Sequence, residues 1–144
     1  MKALTLWQPW ASLVAWGEKQ YETRSWPTSY RGPLAIHASK SKDGWEVWMF
    51  NAFYHDALAR AGIQHFDALP LGVVLCVVDL VDVMRTETLR GKISQQEEQF
   101  GDHSMGRFAW KLENVRVLCE PIPCRGFQQL WDWPVKLESL EFQE

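Results

Sequence analysis

Apolar residues recur along this chain with two periods, near 2 and near 3.6, and the switches between them mark out strands and helices. Lys2 to Trp7 alternates as a short strand. Pro9 then suits a first helical turn, Trp10, Leu13, Val14 and Trp16 repeat at helical spacing, and Gly17 is placed to end the helix. From about Tyr21 the period returns to two, putting Glu22, Arg24 and Trp26 on one face and Tyr21 and Thr23 on the other. Lys19, in the turn before, is free to reach over the charged face. Gly32 to Ser39 reads as a strand with Leu34, Ile36 and Ala38 on one side and Ala35, His37 and Ser39 on the other. A longer helix is predicted from Lys42 or Asp43 to about Ala61, with Trp45, Trp48, Met49, Phe53, Ala57 and Leu58 as its packing stripe and Gly62 as its end.

Leu71 to Met84 is a near-continuous apolar strand, and a strand apolar on both faces is buried on both, as in a small barrel. Asp79 and Asp82 fall on opposite faces near its end, where a partly buried carboxylate would have its pKa raised and act as a general acid or base. Residues 86 to 100 are polar and helix-compatible, and Gly101 to Gly106 reads as a flexible turn before a strand from Arg107 to Leu118. A turn through Gly126 and a short segment from Gln128 to Trp133 would close the barrel. The pattern predicts an α+β fold: a small mixed β-barrel of five or six strands with flanking helices, the Pro9 to Trp16 helix packed on its open side.

Composition narrows this picture. At 144 residues and 47% hydrophobic, the chain suits one domain over residues 1–144. No apolar run approaches the ~20 residues that span a bilayer, and Met1 to Leu4 leads into the first strand without a signal-like apolar stretch, so a cytoplasmic, monomeric protein is expected. Cys76, Cys119 and Cys124 are odd in number with no C-x-x-C, and the four His lie far apart, which argues for reduced thiols, no metal and no cofactor. Cys76, inside an apolar strand, reads as a core residue. The net charge of -3 excludes nonspecific coating of nucleic acid. Its distribution is uneven: residues 1–42 carry +4 (Lys2, Lys19, Arg24, Arg31, Lys40 and Lys42 against Glu18 and Glu22) and residues 43–144 carry -7, which fits a local anion-binding patch on an acidic body as well as it fits ordinary surface variation.

The chemistry concentrates in Gly17-Glu18-Lys19-Gln20-Tyr21-Glu22-Thr23-Arg24, a G-x-K-x-x-E-x-R string. A carboxylate between two cations beside an indole suits a planar, anionic ligand such as a nucleobase with its phosphate. A surface ion-pair cluster worth little explains the string equally well on its own. It is preceded by Trp7-Gln8-Pro9-Trp10-Ala11 and followed by Arg31-Gly32-Pro33-Leu34-Ala35-Ile36-His37-Ala38. Gly106-Arg107-Phe108-Ala109-Trp110 and Pro121-Ile122-Pro123-Cys124-Arg125-Gly126-Phe127-Gln128 come later. In this order the motifs, spread over residues 3–133, resemble the ASCH family of PUA-like β-barrels.

That resemblance implies RNA or a modified nucleoside or nucleotide as partner, held in a cleft beside the first helix. Carried over by position, Lys19, Glu22 and Arg24 would line the cleft, with Gln8, His37, Lys40, Ser104 and Arg107 as further binding residues. Trp7, Trp10 and Trp110 are candidates to stack on a base. The family also includes hydrolases. One branch deacylates N4-acetylcytidine with a Lys in this turn, a Thr three residues later and a carboxylate on a following strand. Lys19 matches the first, Asp79 or Asp82 stands for the third, and Glu22 replaces the Thr. Glu22 supplies no hydroxyl, and its charge should keep Lys19 protonated, which disfavours a Lys base. Metal-independent RNA cleavage with Lys19 and either Ser104 or a nearby His is a further possibility the resemblance carries, and a non-enzymatic interaction module another. The candidate catalytic residues are therefore Lys19, Glu22 and Asp79.

Overall fold

The computed structural model describes residues 1–46 and 51–144. Six strands run as β1 (Lys2–Leu6), β2 (Tyr21–Arg24), β3 (Gly32–Ala38), β4 (Val73–Arg85), β5 (Phe108–Pro123) and β6 (Leu130–Asp132), with helices α1 (Trp10–Ala15), α2 (Ala52–Arg60) and α3 (Gln95–Gln99) between them. They form one sheet in the order β2-β5-β4-β3-β1-β6. β1 and β3 are parallel, joined by the crossover that contains α1 and β2, and the other neighbours are antiparallel. Register shifts between Val74 and Cys76, Val77 and Asp79, and Leu80 and Asp82 mark where β4 and β5 bend past one another. Bulges of this kind increase local twist, and they curl the long strands into a half-barrel. β6 adds to the free edge of β1 instead of reaching β2, so the predicted barrel stays open.

α1 fills the concave side. Its Ala11 and Val14 pack with Leu4, Leu6, Leu34, Ile36, Cys76, Val78, Leu80 and Trp110. Each fully buried aliphatic side chain of this kind contributes about 1.5–3 kcal/mol of transfer free energy. From its other side α1 sends Leu13 into a second cluster with Tyr54 and Leu58 of α2, Phe66 and Phe100. The convex side of the sheet is covered by Trp131, Trp133 and the C-terminal residues Leu140 and Phe142, packed on Ala3, Ala35, Val74 and Leu118. Having cover on both sides explains why β4 is apolar on both faces. Burial pushes the Cys76 thiol up to about 12, as befits a core residue.

The helix predicted from Lys42 or Asp43 begins instead at Ala52, where the Asn51 side chain accepts from the Phe53 amide and caps it. Asp43 to Glu46 form a turn pressed against α1: a Cβ at Gly44 would lie 2.3 Å from the Gln8 carbonyl and 2.4 Å from the Trp10 ring. Trp45 rests against Phe66 with ring centres 5.2 Å apart, while Trp48 and Met49 of the predicted stripe lie outside the described residues. Gly62, at φ +75, follows the helix end as predicted. β5 runs on to Pro123, five residues past the predicted end.

The turn at 101–106 is anchored where the sequence suggests flexibility. The Asp102 amide donates to Thr23 Oγ1 (3.0 Å), Arg107 donates to the Asp102 carbonyl (3.1 Å), and Thr86 Oγ1 donates to the Ser104 carbonyl (2.7 Å). No helix among the described residues is long and apolar enough to cross a membrane.

Candidate functional site

The parallel pair β1 and β3 ends on one side of the sheet, and a cleft of about 1330 Å³ opens there. Thr5, Leu6 and Trp7 at the end of β1 and His37, Ser39 and Lys40 at the end of β3 form its floor. Glu22, Thr23 and Arg24 of β2, with Gln99 to Asp102 and Arg107, form one wall, and Cys124 to Gln129 form another. Trp10 and Tyr54 close the back, the indole N–H donating to the Tyr54 hydroxyl (2.9 Å), which donates to the Gln99 carbonyl (2.8 Å). Burial pushes the Tyr54 phenol up to about 12.

The charged turn is built from α1 outward. Gly17 adopts φ +75, and the Glu18 and Lys19 amides both donate to the Leu13 carbonyl, which reverses the chain at the helix end. The reversal sends the Lys19 side chain inward. Its ammonium is fully buried, donates to the Phe100 carbonyl at 2.6 Å and lies 3.6 Å from Glu22 Oε1. Glu22 Oε2 in turn accepts from Arg24 (3.1 Å), whose guanidinium also donates to the Thr5 carbonyl (2.9 Å). Glu97 of α3 accepts from the Gln20 and Tyr21 amides (2.8 and 3.3 Å), satisfying the edge of β2. Burial raises its pKa, against those two N–H bonds and the Lys19 charge.

Glu22, Arg24, His37, Lys40 and Arg107 therefore come together on the cleft surface. Lys19 does not reach it. It supports the site from beneath, contrary to a lysine free to swing over the charged face. Burial also draws its pKa below 10.5, outweighing the attraction of Glu22 and Glu97, where the sequence suggests that Glu22 alone decides.

Gln8 is buried and caps α1: its Oε1 accepts from the Ser12 amide (3.0 Å) and its Nε2 donates to Ser12 Oγ and the Pro70 carbonyl (2.8 and 2.9 Å). Ser104 is exposed beside the wall and donates to Asp102 Oδ1 (2.6 Å) without lining the cleft. Asp79 stays away for a topological reason. It pairs in register with Pro33 near the start of β3, whereas the cleft lies at the end of β3, five residues or roughly 17 Å further along. There it accepts from Arg116 (2.5 Å) and Asn114 (2.9 Å). Trp110 is core, with its ring 4.8 Å from that of Trp26, so of the three indoles Trp7 and Trp10 face the cleft.

Several cleft residues escape sequence reasoning. Arg125 and Phe127 sit in the late P-x-P-x-x-G-x-Q motif, which signals a turn without saying where it docks. Phe127 is 52% exposed, with the Arg125 guanidinium 5.2 Å from its ring centre, and Trp7 is 48% exposed, two large aromatics partly open to a ligand. Four cations (Arg24, Lys40, Arg107, Arg125) face two carboxylates (Glu22, Asp102), each of which is bound by one of those arginines. Lys40 and Arg125 make no ion pair among the described residues. The same residues hold no gathering of three or more His, Cys, Asp or Glu side chains suited to a metal.

The family model described as the ASCH domain matches residues 4–122. Over 140 residues the chain is 32% identical to Activating signal cointegrator 1 of Mus musculus and, equally, to that of Homo sapiens, covering 94% of this chain and 23% of each relative. The chain thus spans less than a quarter of the length of these relatives. Its fold is similar to the crystal structure of ASCH from Zymomonas mobilis, with a TM-score of 0.56 at 16% identity over 95% of this chain and 88% of that one. A single-site mutant of the Zymomonas mobilis protein matches with a TM-score of 0.52 at 16% identity, over 85% and 74% of the two chains.

Proposed function

This chain belongs to the ASCH domain family, and from that premise we propose that it binds RNA as a single strand in the cleft at the ends of β1 and β3. The observation that carries this reading is the pairing of cations that no carboxylate neutralises with partly exposed aromatic rings, Lys40 and Arg125 beside Trp7 and Phe127 lining one cleft, Arg125 itself lying over the Phe127 ring. Single-stranded nucleic acid is held by this combination, with phosphates on cations and bases on aromatic rings. Size points the same way. A site for one small molecule occupies about 300–1,000 Å³, and this cleft is larger, at about 1330 Å³.

Binding without turnover fits the state of the titratable groups. Glu22 is held by Lys19 and Arg24, and Lys19 is beneath the surface. Both ring nitrogens of His37 are engaged, by Thr5 and by the Cys124 carbonyl. Hydrogen bonds from Ser104 and the charge of Arg107 hold Asp102 below the usual carboxylate range, making it a weak base. General acid–base catalysis needs a group free to exchange a proton with substrate.

Titrating the protein into a labelled single-stranded decamer, with cytidine and N4-acetylcytidine as competitors and chelator present, tests this. The expected result is salt-sensitive binding of the decamer, weak competition by the nucleosides, and intact RNA afterwards. No binding even at low salt removes the reading, and deacylation of N4-acetylcytidine replaces it with a hydrolase.

A further inference from the structure

Beyond the β2 wall of the cleft, the sheet carries a row of side chains that the cleft itself does not use. Arg24 of β2 pairs in register with Phe108 of β5, and Phe108 pairs with Arg85 of β4. Directly paired residues share a face, and strands lie about 4.8 Å apart, so the three side chains stand in line over roughly 10 Å. The neighbouring row, Glu22, Trp110 and Val83, contains the core residue Trp110 and so places the line on the concave face. Arg24 lines the cleft at one end of the row, and Arg85 stands outside it at the other. Backbone hydrogen bonding ties Arg85 to the cleft wall: the carbonyl of Arg107, a cleft residue, accepts from the amide of Thr86 (3.1 Å), the residue after Arg85.

Arg85 lies over the Phe108 ring, its guanidinium carbon 5.5 Å from the ring centre and its side chain 61% exposed. The ring beneath it is half-buried against the core, which holds it in place. The ion-pair partner of Arg85 among the described residues, Glu87, is 3.9 Å away, at the outer limit of such a contact. Glu87 is also engaged elsewhere, accepting from the Gly106 amide and the Thr86 hydroxyl. Asp82 of β4 falls on the opposite face. The guanidinium is thus supported from one side by an aromatic ring and open to solvent on the other. The same unit stands in the cleft, where Arg125 lies over Phe127 at 5.2 Å.

A guanidinium supported in this way is a platform for a base. Its plane stacks on the flat face of a nucleobase as an aromatic side chain does, and its charge adds a cation–π contribution. Stacking of this kind serves every base alike, because each has a π-face. A nucleoside held between the cleft walls ends short of Arg85, whereas a strand passing over Arg24 reaches it.

We propose that an RNA strand continues out of the cleft past Arg24 and Phe108 and lays a base on Arg85, so that the ligand of this site is a single strand longer than the cleft. The extension rests on the cleft being an RNA site and makes the polymer, not the nucleoside, its ligand.

Fluorescence anisotropy with the labelled decamer and with a labelled trimer, short enough to sit in the cleft alone, tests it. The wild-type protein should bind the decamer more tightly. Arg85→Ala should weaken decamer binding about tenfold, within the range for one stacked base, and leave trimer binding unchanged. Arg85→Lys should recover little of that loss, because a lysine brings the charge without the plane. Phe108→Leu, which keeps the apolar packing and removes the ring, should behave like Arg85→Ala. In spectra of the ¹⁵N-labelled protein, the Arg85 Nε–H resonance should shift with the decamer and stay in place with the trimer. Decamer binding that ignores Arg85→Ala, or that Arg85→Lys restores in full, overturns the extension and leaves the cleft site standing. Equal losses for trimer and decamer also overturn it, since Arg85 would then act on the cleft instead of beyond it. A protein that binds neither strand removes the proposed function and the extension with it.

Discussion

Lys19 and Glu22 meet beneath the cleft, the ammonium 3.6 Å from Oε1 and with no exposed side-chain surface. Glu22 passes the contact upward, since its other oxygen orients Arg24 at the surface. One carboxylate thus joins a buried cation to a half-buried one that lines the cleft. Removing Lys19 leaves the buried Glu22 with Arg24 alone and the Phe100 carbonyl without its donor, which costs about 3 kcal/mol, the lower end for breaking a buried pair.

Lys19→Met should therefore lower the unfolding free energy by about 3 kcal/mol in urea titrations, with Glu22 left to Arg24 alone. Decamer affinity measured on the folded fraction should change little, because Lys19 does not line the cleft. A stable variant that loses RNA binding would instead make Lys19 a ligand contact.

Arg24→Ala should weaken decamer binding by about 1.5–3 kcal/mol, the range for hydrogen bonds to a charged group. Arg24→Lys should recover little of it. A lysine cannot hold Glu22 and the Thr5 carbonyl while also presenting a planar fork to phosphate. Fluorescence anisotropy at one salt concentration checks both.

Phe127→Ala and Trp7→Ala should each cost about 1–3 kcal/mol of binding, the worth of one stacked base. Neither should shift the melting temperature much, since both rings are half open to solvent. A plot of log affinity against log salt should have a slope near -3, from about -0.7 for each of four cations on a single strand. Lys40→Ala should flatten it by about 0.7.

Glu97→Ala should destabilise the fold by about 2–3 kcal/mol by stranding the Gln20 and Tyr21 amides. Glu97→Gln should cost less, because burial already favours the uncharged form and one amide oxygen still accepts. Thermal melts of the two variants at pH 7 make the comparison.

Stability should rise with pH up to about 6.5. Burial lowers the pKa of both His37 and His103, helped at His103 by the Lys19 charge. Between their folded values and the unfolded 6.5 the unfolded chain binds more protons, so the unfolding free energy falls as pH drops through that window and is fully present above it. His37→Gln should reduce the slope of unfolding free energy against pH.

Much of the architecture is local and was readable from the chain. Alternation at Lys2 to Leu6 and Gly32 to Ala38, helical spacing at Trp10 to Ala15 and a glycine at 17 each rest on backbone geometry that neighbouring residues decide. The two-faced burial of β4 followed from its unbroken apolar run. Ordered motifs carried the family, and alternation on β2 paired Glu22 with Arg24. Helix α2 was misplaced at its start because a single close approach, Gly44 on Gln8 and Trp10, belongs to tertiary packing and leaves no periodic trace.

The site divides along the same line. The sequence determined which residues bear charge and which faces of β2 and β3 they share. It could not say that Lys19 points inward, because that depends on a carbonyl 81 residues away on Phe100. Nor could it bring Arg125 and Phe127 to Trp7, or keep Asp79 at the far end of β3, since both follow from strand order and register. Hydrogen bonds and ion pairs act over a few ångströms, and only the curled sheet decided which distant residues came within that reach.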